Sequence, residues 1–103
     1  MKIMDIINWN TGVLVKESEY NEFVEIMSKE KQWNWDRGEK LSEYNEYGNT
    51  GETELVHFIG TAKYDNVDKE DRVAIFYSTL NELNSNEDNY ITLEEFKEKL
   101  KFN

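Results

Sequence analysis

The chain has 103 residues, no cysteine and a formal net charge of −10, from 22 acidic and 12 basic residues. This length suits a single domain over residues 1–103, and the lack of cysteine excludes a disulfide framework and a thiolate zinc site. The surplus of carboxylates disfavours direct binding to nucleic-acid phosphates and favours basic protein surfaces or cations as partners. No apolar run in the sequence approaches the ~20 residues that span a bilayer, and Asp5 and Asn8 interrupt the apolar stretch that a signal peptide needs. We therefore expect a cytoplasmic protein.

The clearest predicted element is a helix over residues 18 to 31. Its apolar residues recur at the spacing of one helical face: Tyr20, Phe23, Val24 and Met27. Before this helix, residues 1 to 10 are ambiguous, whereas residues 13 to 15 predict a short buried strand after Gly12. We expect the apolar face of the helix to form part of the core.

Two tryptophans follow the helix, Trp33 and Trp35, and their spacing places them on the same side of an extended segment. They fit two interpretations. They can be anchors that cap a small core, or they can form an aromatic platform that stacks a base or a nucleotide. We favour the first interpretation because a small core needs large apolar side chains, and we keep both residues as candidate partner-binding residues.

Acidic residues are concentrated in two polar segments, residues 39 to 54 and residues 65 to 71. The candidate partner-binding carboxylates are Glu39, Glu43, Glu46, Asp65, Asp68, Glu70 and Asp71. Residues 55 to 59 and residues 72 to 77 are rich in β-branched and aromatic side chains and predict two strands. The first of these strands contains His57, which we interpret as a packed residue and not as a catalytic base.

Residues 84 to 95 resemble the calcium-binding loop of the EF-hand family. The oxygen donors at the alternating ligand positions of that family are Asn84, Asn86, Asp88, the Tyr90 carbonyl, Thr92 and Glu95. Two positions depart from the pattern, because Asn84 stands where the family has aspartate and Asn89 stands where it has glycine. The resemblance implies a single calcium-binding module, with Glu95 as a bidentate ligand.

The same residues also fit a structure that needs no metal. Thr92 and Glu95 have the spacing of a helix capping box, with Thr92 as the N-cap. Leu93, Phe96 and Leu100 then share one face of a short amphipathic helix at the C-terminal end. We favour this interpretation, in which the chain binds no cofactor.

Together these elements predict an α+β fold. We expect a small antiparallel sheet of three or four strands packed on one main helix, with the short C-terminal helix at the edge of the sheet. The second face of the sheet is left to solvent or to a partner.

The order of the elements resembles that of small acidic α+β proteins of bacteriophages and mobile elements. The likeness covers residues 13 to 100: a strand, a helix, a tryptophan followed by Gly38 and a polar stretch, two strands, and a closing Ile-Thr-Leu-Glu-Glu-Phe helix at 91 to 96. The resemblance implies an inhibitor of host defence, as anti-CRISPR proteins are. Some of these proteins present carboxylates in the place of DNA phosphates.

Three functional hypotheses result. The leading one is a non-enzymatic binding protein that occupies a basic, nucleic-acid-binding surface of a larger host protein, with DNA mimicry as one form of such binding. The second is the calcium-binding module, and the third is a nucleotide sponge that uses Trp33 and Trp35. The sequence contains no nucleophile elbow, phosphate-binding loop or dinucleotide fingerprint, so we expect no enzymatic activity.

Overall fold

The computed structural model describes residues 2–61, 73–83 and 89–101. Four helices and four strands lie within these ranges: α1 Ile3–Ile6, β1 Thr11–Lys16, α2 Tyr20–Ser28, α3 Tyr47–Thr50, β2 Glu54–Thr61, β3 Val73–Ser78, β4 Asn89–Thr92 and α4 Leu93–Lys101. Short 3₁₀ turns precede α2 and follow β3. Within the described residues, no helix combines the length and the apolarity that crossing a bilayer requires.

The strands form one four-stranded sheet in the order β3-β2-β1-β4. β2 pairs with both β1 and β3 in antiparallel register, as predicted, but β4 pairs with β1 in parallel register. The α+β class is therefore confirmed, and the expectation of a wholly antiparallel sheet is corrected to a mixed sheet. The reason is that the chain does not return from β3 by a tight hairpin. It reaches the far edge of the sheet instead, beside β1, and a parallel pair needs such a crossover.

Helix α2 covers one face of the sheet, as its periodicity predicts. Tyr20, Phe23 and Met27 are buried, and they belong to the same apolar cluster as Val13 of β1 and Leu55 of β2. Side chains at alternate positions of a strand lie on the same face of the sheet. Alternate residues of β1 and of β2 therefore pack against α2 together. The main core thus lies between α2 and this face.

Helix α4 closes the core beside β1 and β4. Leu93 and Phe96 are buried on its apolar face. The backbone N–H of Glu95 donates to the Thr92 hydroxyl at 3.1 Å, and the backbone N–H of Thr92 donates to the Glu95 carboxylate at 3.2 Å. This reciprocal pair is the predicted capping box, which satisfies backbone donors that the first helical turn leaves free.

Trp33 and Trp35 lie in the core, each with 3% of its surface exposed. Neither ring presents an open face to a base, so the stacking platform is wrong and the interpretation as core anchors is the correct one. The physical reason is the shortage of large apolar side chains in a chain of this composition, since an indole contributes more buried area than any other side chain.

Candidate functional site

An acidic pocket lies beside β3, which forms one edge of the sheet. Its volume is about 420 Å³, and it is lined by Trp35, Asp36, Arg37, Glu39, Glu46, Asn49, Ile75, Phe76, Tyr77 and Glu82. We call this feature the acidic pocket. Four of the lining residues are carboxylates, and Arg37 is the basic residue that the described lining contributes.

A tight turn over residues 34–40 builds one wall of the acidic pocket. The backbone N–H of Trp35 donates to the Glu39 carbonyl at 2.8 Å, and the Asn34 side-chain amide donates to the Gly38 carbonyl at 2.7 Å. Gly38 has φ of 104°, a conformation that side chains disfavour, so glycine allows the chain to reverse here. The N–H of Ile75 donates to the Asn34 carbonyl at 2.9 Å, which fastens the turn to the edge of β3. The carboxylates of the turn are thereby held against the sheet.

The segment before α3 supplies Glu46 to the opposite wall. The indole N–H of Trp35 and the hydroxyl of Tyr20 both donate to the Tyr44 carbonyl, at 2.9 Å and 3.1 Å. The side-chain amide of Asn49 donates to Glu46 Oε2 at 3.3 Å. Buried aromatic side chains thus determine where this polar segment runs, and Glu46 points into the pocket as a consequence.

The 3₁₀ turn after β3 contributes Glu82. The Thr79 hydroxyl donates to Glu82 Oε1 at 2.8 Å, and the Thr79 backbone N–H donates to the same oxygen at 3.2 Å. This cap holds the carboxylate next to the end of β3, where it borders the pocket.

The pKa of Tyr77 is influenced by the charged side chains around the pocket. Its ring is 39% exposed and meets the Trp35 ring edge to face at 6.1 Å. Burial raises the pKa of the Tyr77 hydroxyl first, and the negative charges of Glu46 and Glu82 raise that pKa further, while Arg37 opposes them. Glu46, Glu82 and Arg37 therefore all lie near enough to the Tyr77 hydroxyl to influence its pKa.

One oxygen of the Glu39 carboxylate, Oε1, is buried and has no hydrogen-bond partner among the described residues. A buried carboxylate oxygen without a donor is costly, by roughly 1–3 kcal/mol for an unsatisfied polar group and by more for a charged one.

The pocket suits a guanidinium or an ammonium group better than a shared metal ion. Guanidinium carries several N–H donors spread over a plane, and it pairs well with carboxylates and with aromatic faces such as that of Tyr77. Within the described ranges no group of three or more His, Cys, Asp or Glu side chains has the geometry to hold a metal ion.

The structure brings together two of the predicted carboxylates, Glu39 and Glu46, in this pocket. Glu43 lies elsewhere, where it forms an exposed ion pair with Lys40 at 3.6 Å. Trp33 is buried and does not line the pocket, whereas Trp35 is buried and is one of its lining residues. The predicted carboxylates Asp65, Asp68, Glu70 and Asp71 lie outside the described residues.

Sequence reasoning missed seven of the residues that line the acidic pocket, among them the carboxylates Asp36 and Glu82 and the aromatic Tyr77. A signal existed for Asp36, because Asp-Arg-Gly after a tryptophan is typical of a turn that exposes its polar residues. No local signal existed for Glu82, since its proximity to Glu46 depends on the position of β3 at the edge of the sheet.

The EF-hand resemblance falls partly outside the described residues, which do not include Asn84, Asn86 and Asp88. Tyr90 lies on β4, and the Glu95 carboxylate accepts the capping hydrogen bonds from Thr92. A strand and a 3₁₀ turn occupy residues 73–82, where an EF-hand has its entering helix. The described residues thus form a capped helix without a helix–loop–helix arrangement around it.

Comparison of the chain with protein-family models, with curated proteins and with solved structures found no match.

Proposed function

We propose that this chain is a non-enzymatic binding protein whose acidic pocket receives an arginine or lysine side chain from the basic surface of a larger protein. The observation that carries the proposal is a cavity lined by four carboxylates, those of Asp36, Glu39, Glu46 and Glu82. A basic side chain would form charge-assisted hydrogen bonds with these carboxylates and would be attracted by their negative charge.

The charge of the whole chain supports the same proposal. A net charge of −10 repels nucleic acid and steers the chain towards basic surfaces. Surfaces that bind nucleic acid are rich in arginine and lysine, so a protein of this kind is well suited to occupy one and to inhibit it. The pocket would then engage one basic side chain, while the remaining carboxylates accelerate the encounter.

A direct test uses an arginine-rich peptide as the probe and compares two variants of equal charge. Glu39→Gln combined with Glu46→Gln removes two carboxylates from the acidic pocket. Glu17→Gln combined with Glu25→Gln removes two exposed carboxylates that do not line it. Both variants change the net charge by the same amount. A difference in peptide affinity between them therefore measures the contribution of the pocket carboxylates.

We expect calorimetry to show that the pocket variant binds the peptide at least about tenfold more weakly than the wild type, because truncating a buried charge partner affects dissociation strongly. The control variant should lose much less affinity. Binding by the wild type should weaken steeply with added sodium chloride. An equal loss of affinity in the two variants, or an affinity that does not depend on the sodium chloride concentration, would contradict the proposal.

A further inference from the structure

Trp9 is an exposed tryptophan on a rigid turn. Its side chain is 65% exposed, the largest fraction among the exposed large hydrophobic residues of the described chain. The side-chain oxygen of Asn8 accepts the backbone N–H groups of Asn10 and Thr11 at 2.8 Å and 3.0 Å, and the Asn8 N–H donates to the Thr11 carbonyl at 2.9 Å. These bonds hold the backbone that presents the indole.

The orientation of the indole is set by the sheet beneath it. A Cβ atom at Gly60 would lie 2.7 Å from two ring carbons of Trp9, so the absence of a side chain at this position lets the indole lie on β2. The Trp9 and Phe76 rings meet edge to face, with centroids 5.9 Å apart and an interplanar angle of 85°. Trp9 is therefore exposed and yet preorganised, a combination that lowers the entropic cost of ordering it in a complex.

The Trp9 ring and the acidic pocket share one residue, Phe76 of β3, at the edge of the sheet. Adjacent side chains of a strand point to opposite faces, so the Phe76 and Trp9 rings lie on the face of the sheet opposite to the Tyr77 ring. An aromatic anchor next to a charged pocket matches the composition of protein interfaces, in which tryptophan and arginine dominate the energetically important contacts.

Charge decides which partner fits this surface. A second copy of the chain would also carry a net charge of −10 and would be repelled, and nucleic acid would be repelled for the same reason. A protein surface with an apolar hollow bordered by arginine or lysine is attracted by the pocket and can bury the indole.

We propose that Trp9 is the apolar anchor of the interface whose charged part is the acidic pocket, and that it inserts into an apolar hollow of a basic protein. This inference rests on the proposed function and adds a requirement to it. The partner must be apolar as well as basic at the point of contact.

The test uses two peptide probes of equal charge: an arginine-rich peptide with interspersed leucines, and the same peptide with each leucine replaced by glycine. We expect the wild type to bind the leucine peptide on the order of tenfold more tightly, as for loss of one hot-spot contact. Trp9→Ala should bind both peptides equally and should keep the salt dependence, while Trp9→Phe should keep part of the preference. Because Trp33 and Trp35 are buried, a blue shift of tryptophan emission with the leucine peptide reports burial of Trp9 in the wild type itself.

The outcomes separate the two proposals. A leucine preference that survives in Trp9→Ala, no preference in the wild type, or an emission that the leucine peptide leaves unchanged overturns the role of Trp9 and leaves the pocket proposal standing. Failure of the wild type to bind either peptide overturns both. Self-association that depends on Trp9, measured by sedimentation, would assign the indole to a second copy of the chain and would also overturn the inference.

Discussion

Glu39 and His57 are polar residues that the fold buries in different surroundings. Glu39 lines the acidic pocket, and its Oε1 atom is buried. The His57 side chain is 1% exposed and is enclosed by aromatic rings, the nearest being that of Phe23 at 4.9 Å. Neither ring nitrogen of His57 has a hydrogen-bond partner among the described residues. Glu39 therefore lies at the wall of the acidic pocket, whereas His57 contributes packing while it stays neutral.

The pH dependence of stability should reflect His57. Burial lowers the pKa of His57 from about 6.5 to about 4, with nearby backbone groups of Val13 and Leu55 opposing the shift. The unfolded chain therefore takes up a proton at a higher pH than the folded chain. The stabilisation is complete above about pH 6.5 and is lost as the pH falls towards about 4. The loss amounts to roughly 3 kcal/mol at 1.36 kcal/mol for each pKa unit.

Denaturant unfolding of the wild type and of His57→Leu across this pH range measures the effect. We expect the free energy of unfolding of His57→Leu to fall less on acidification, because leucine has a similar volume and does not titrate. Carboxylates contribute to the pH dependence of both proteins, so the difference between the two curves isolates His57. Parallel curves would show that the buried imidazole does not determine the acid sensitivity.

The residues that line the acidic pocket could be predicted from sequence only in part. The surplus of acid in residues 39 to 54 indicated Glu39 and Glu46, and both line the pocket. Composition did not predict which aromatic residues are exposed: Trp33 and Trp35 are buried, whereas Trp9 is exposed. For Trp9 a local signal existed, because the sequence Asn-Trp-Asn-Thr-Gly around it is typical of a turn whose tip is exposed.

At the scale of elements, α2 and α4 illustrate what local patterns predict well. The helix predicted over residues 18 to 31 is observed as α2 Tyr20–Ser28, with its apolar face buried as expected. Helix α4 begins directly after Thr92, and Thr92 and Glu95 form the capping box that their spacing predicts. Both depend on spacings within a few residues, which is the range over which sequence periodicity carries information.

The capping box also allows the calcium hypothesis to be tested against its alternative. Thr92→Ala removes the cap and should lower the free energy of unfolding by about 1 kcal/mol. Glu95→Gln should change it little, because glutamine can also close a capping box. Thermal or denaturant unfolding of the two variants measures these changes.

Calcium calorimetry on the same variants completes the comparison. Glutamine lacks the bidentate carboxylate that an EF-hand needs at its last position. Heat of calcium binding in the wild type that disappears in Glu95→Gln would support the calcium module and would contradict a purely structural role for Glu95. We expect neither protein to show such heat.

At the scale of the whole molecule, three of the ion pairs among the described residues involve helix α4. Lys97 lies 3.0 Å from the Glu22 carboxylate of α2 and 3.2 Å from Glu94, and Lys101 lies 3.7 Å from Glu98. These pairs are exposed, so each contributes little to stability. The acidic pocket lies at the β3 edge of the sheet. The molecule thus has a side of mixed charge and an edge of negative potential.

The large net charge should make thermal stability depend on ionic strength. Repulsion among surplus carboxylates destabilises the compact state, and sodium chloride screens this repulsion. We expect the Tm to rise between low salt and moderate sodium chloride, since the exposed ion pairs that salt also weakens are individually small. Scanning calorimetry in sodium chloride, chosen over sulfate because sulfate strengthens apolar burial itself, measures the shift. A Tm that falls with salt would mean that ion pairs outweigh repulsion.

The amino-acid sequence by itself determined the α+β class, the apolar face of α2, the strands β2 and β3 and the cap of α4, because each depends on periodicity or spacing between near neighbours. Only the tertiary structure decided the parallel pairing of β4 with β1, the burial of two tryptophans and the exposure of the third. It also decided that carboxylates from three separate segments line one pocket. These features depend on the order of the strands in the sheet and on contacts between residues far apart in the chain, and no local pattern specifies either.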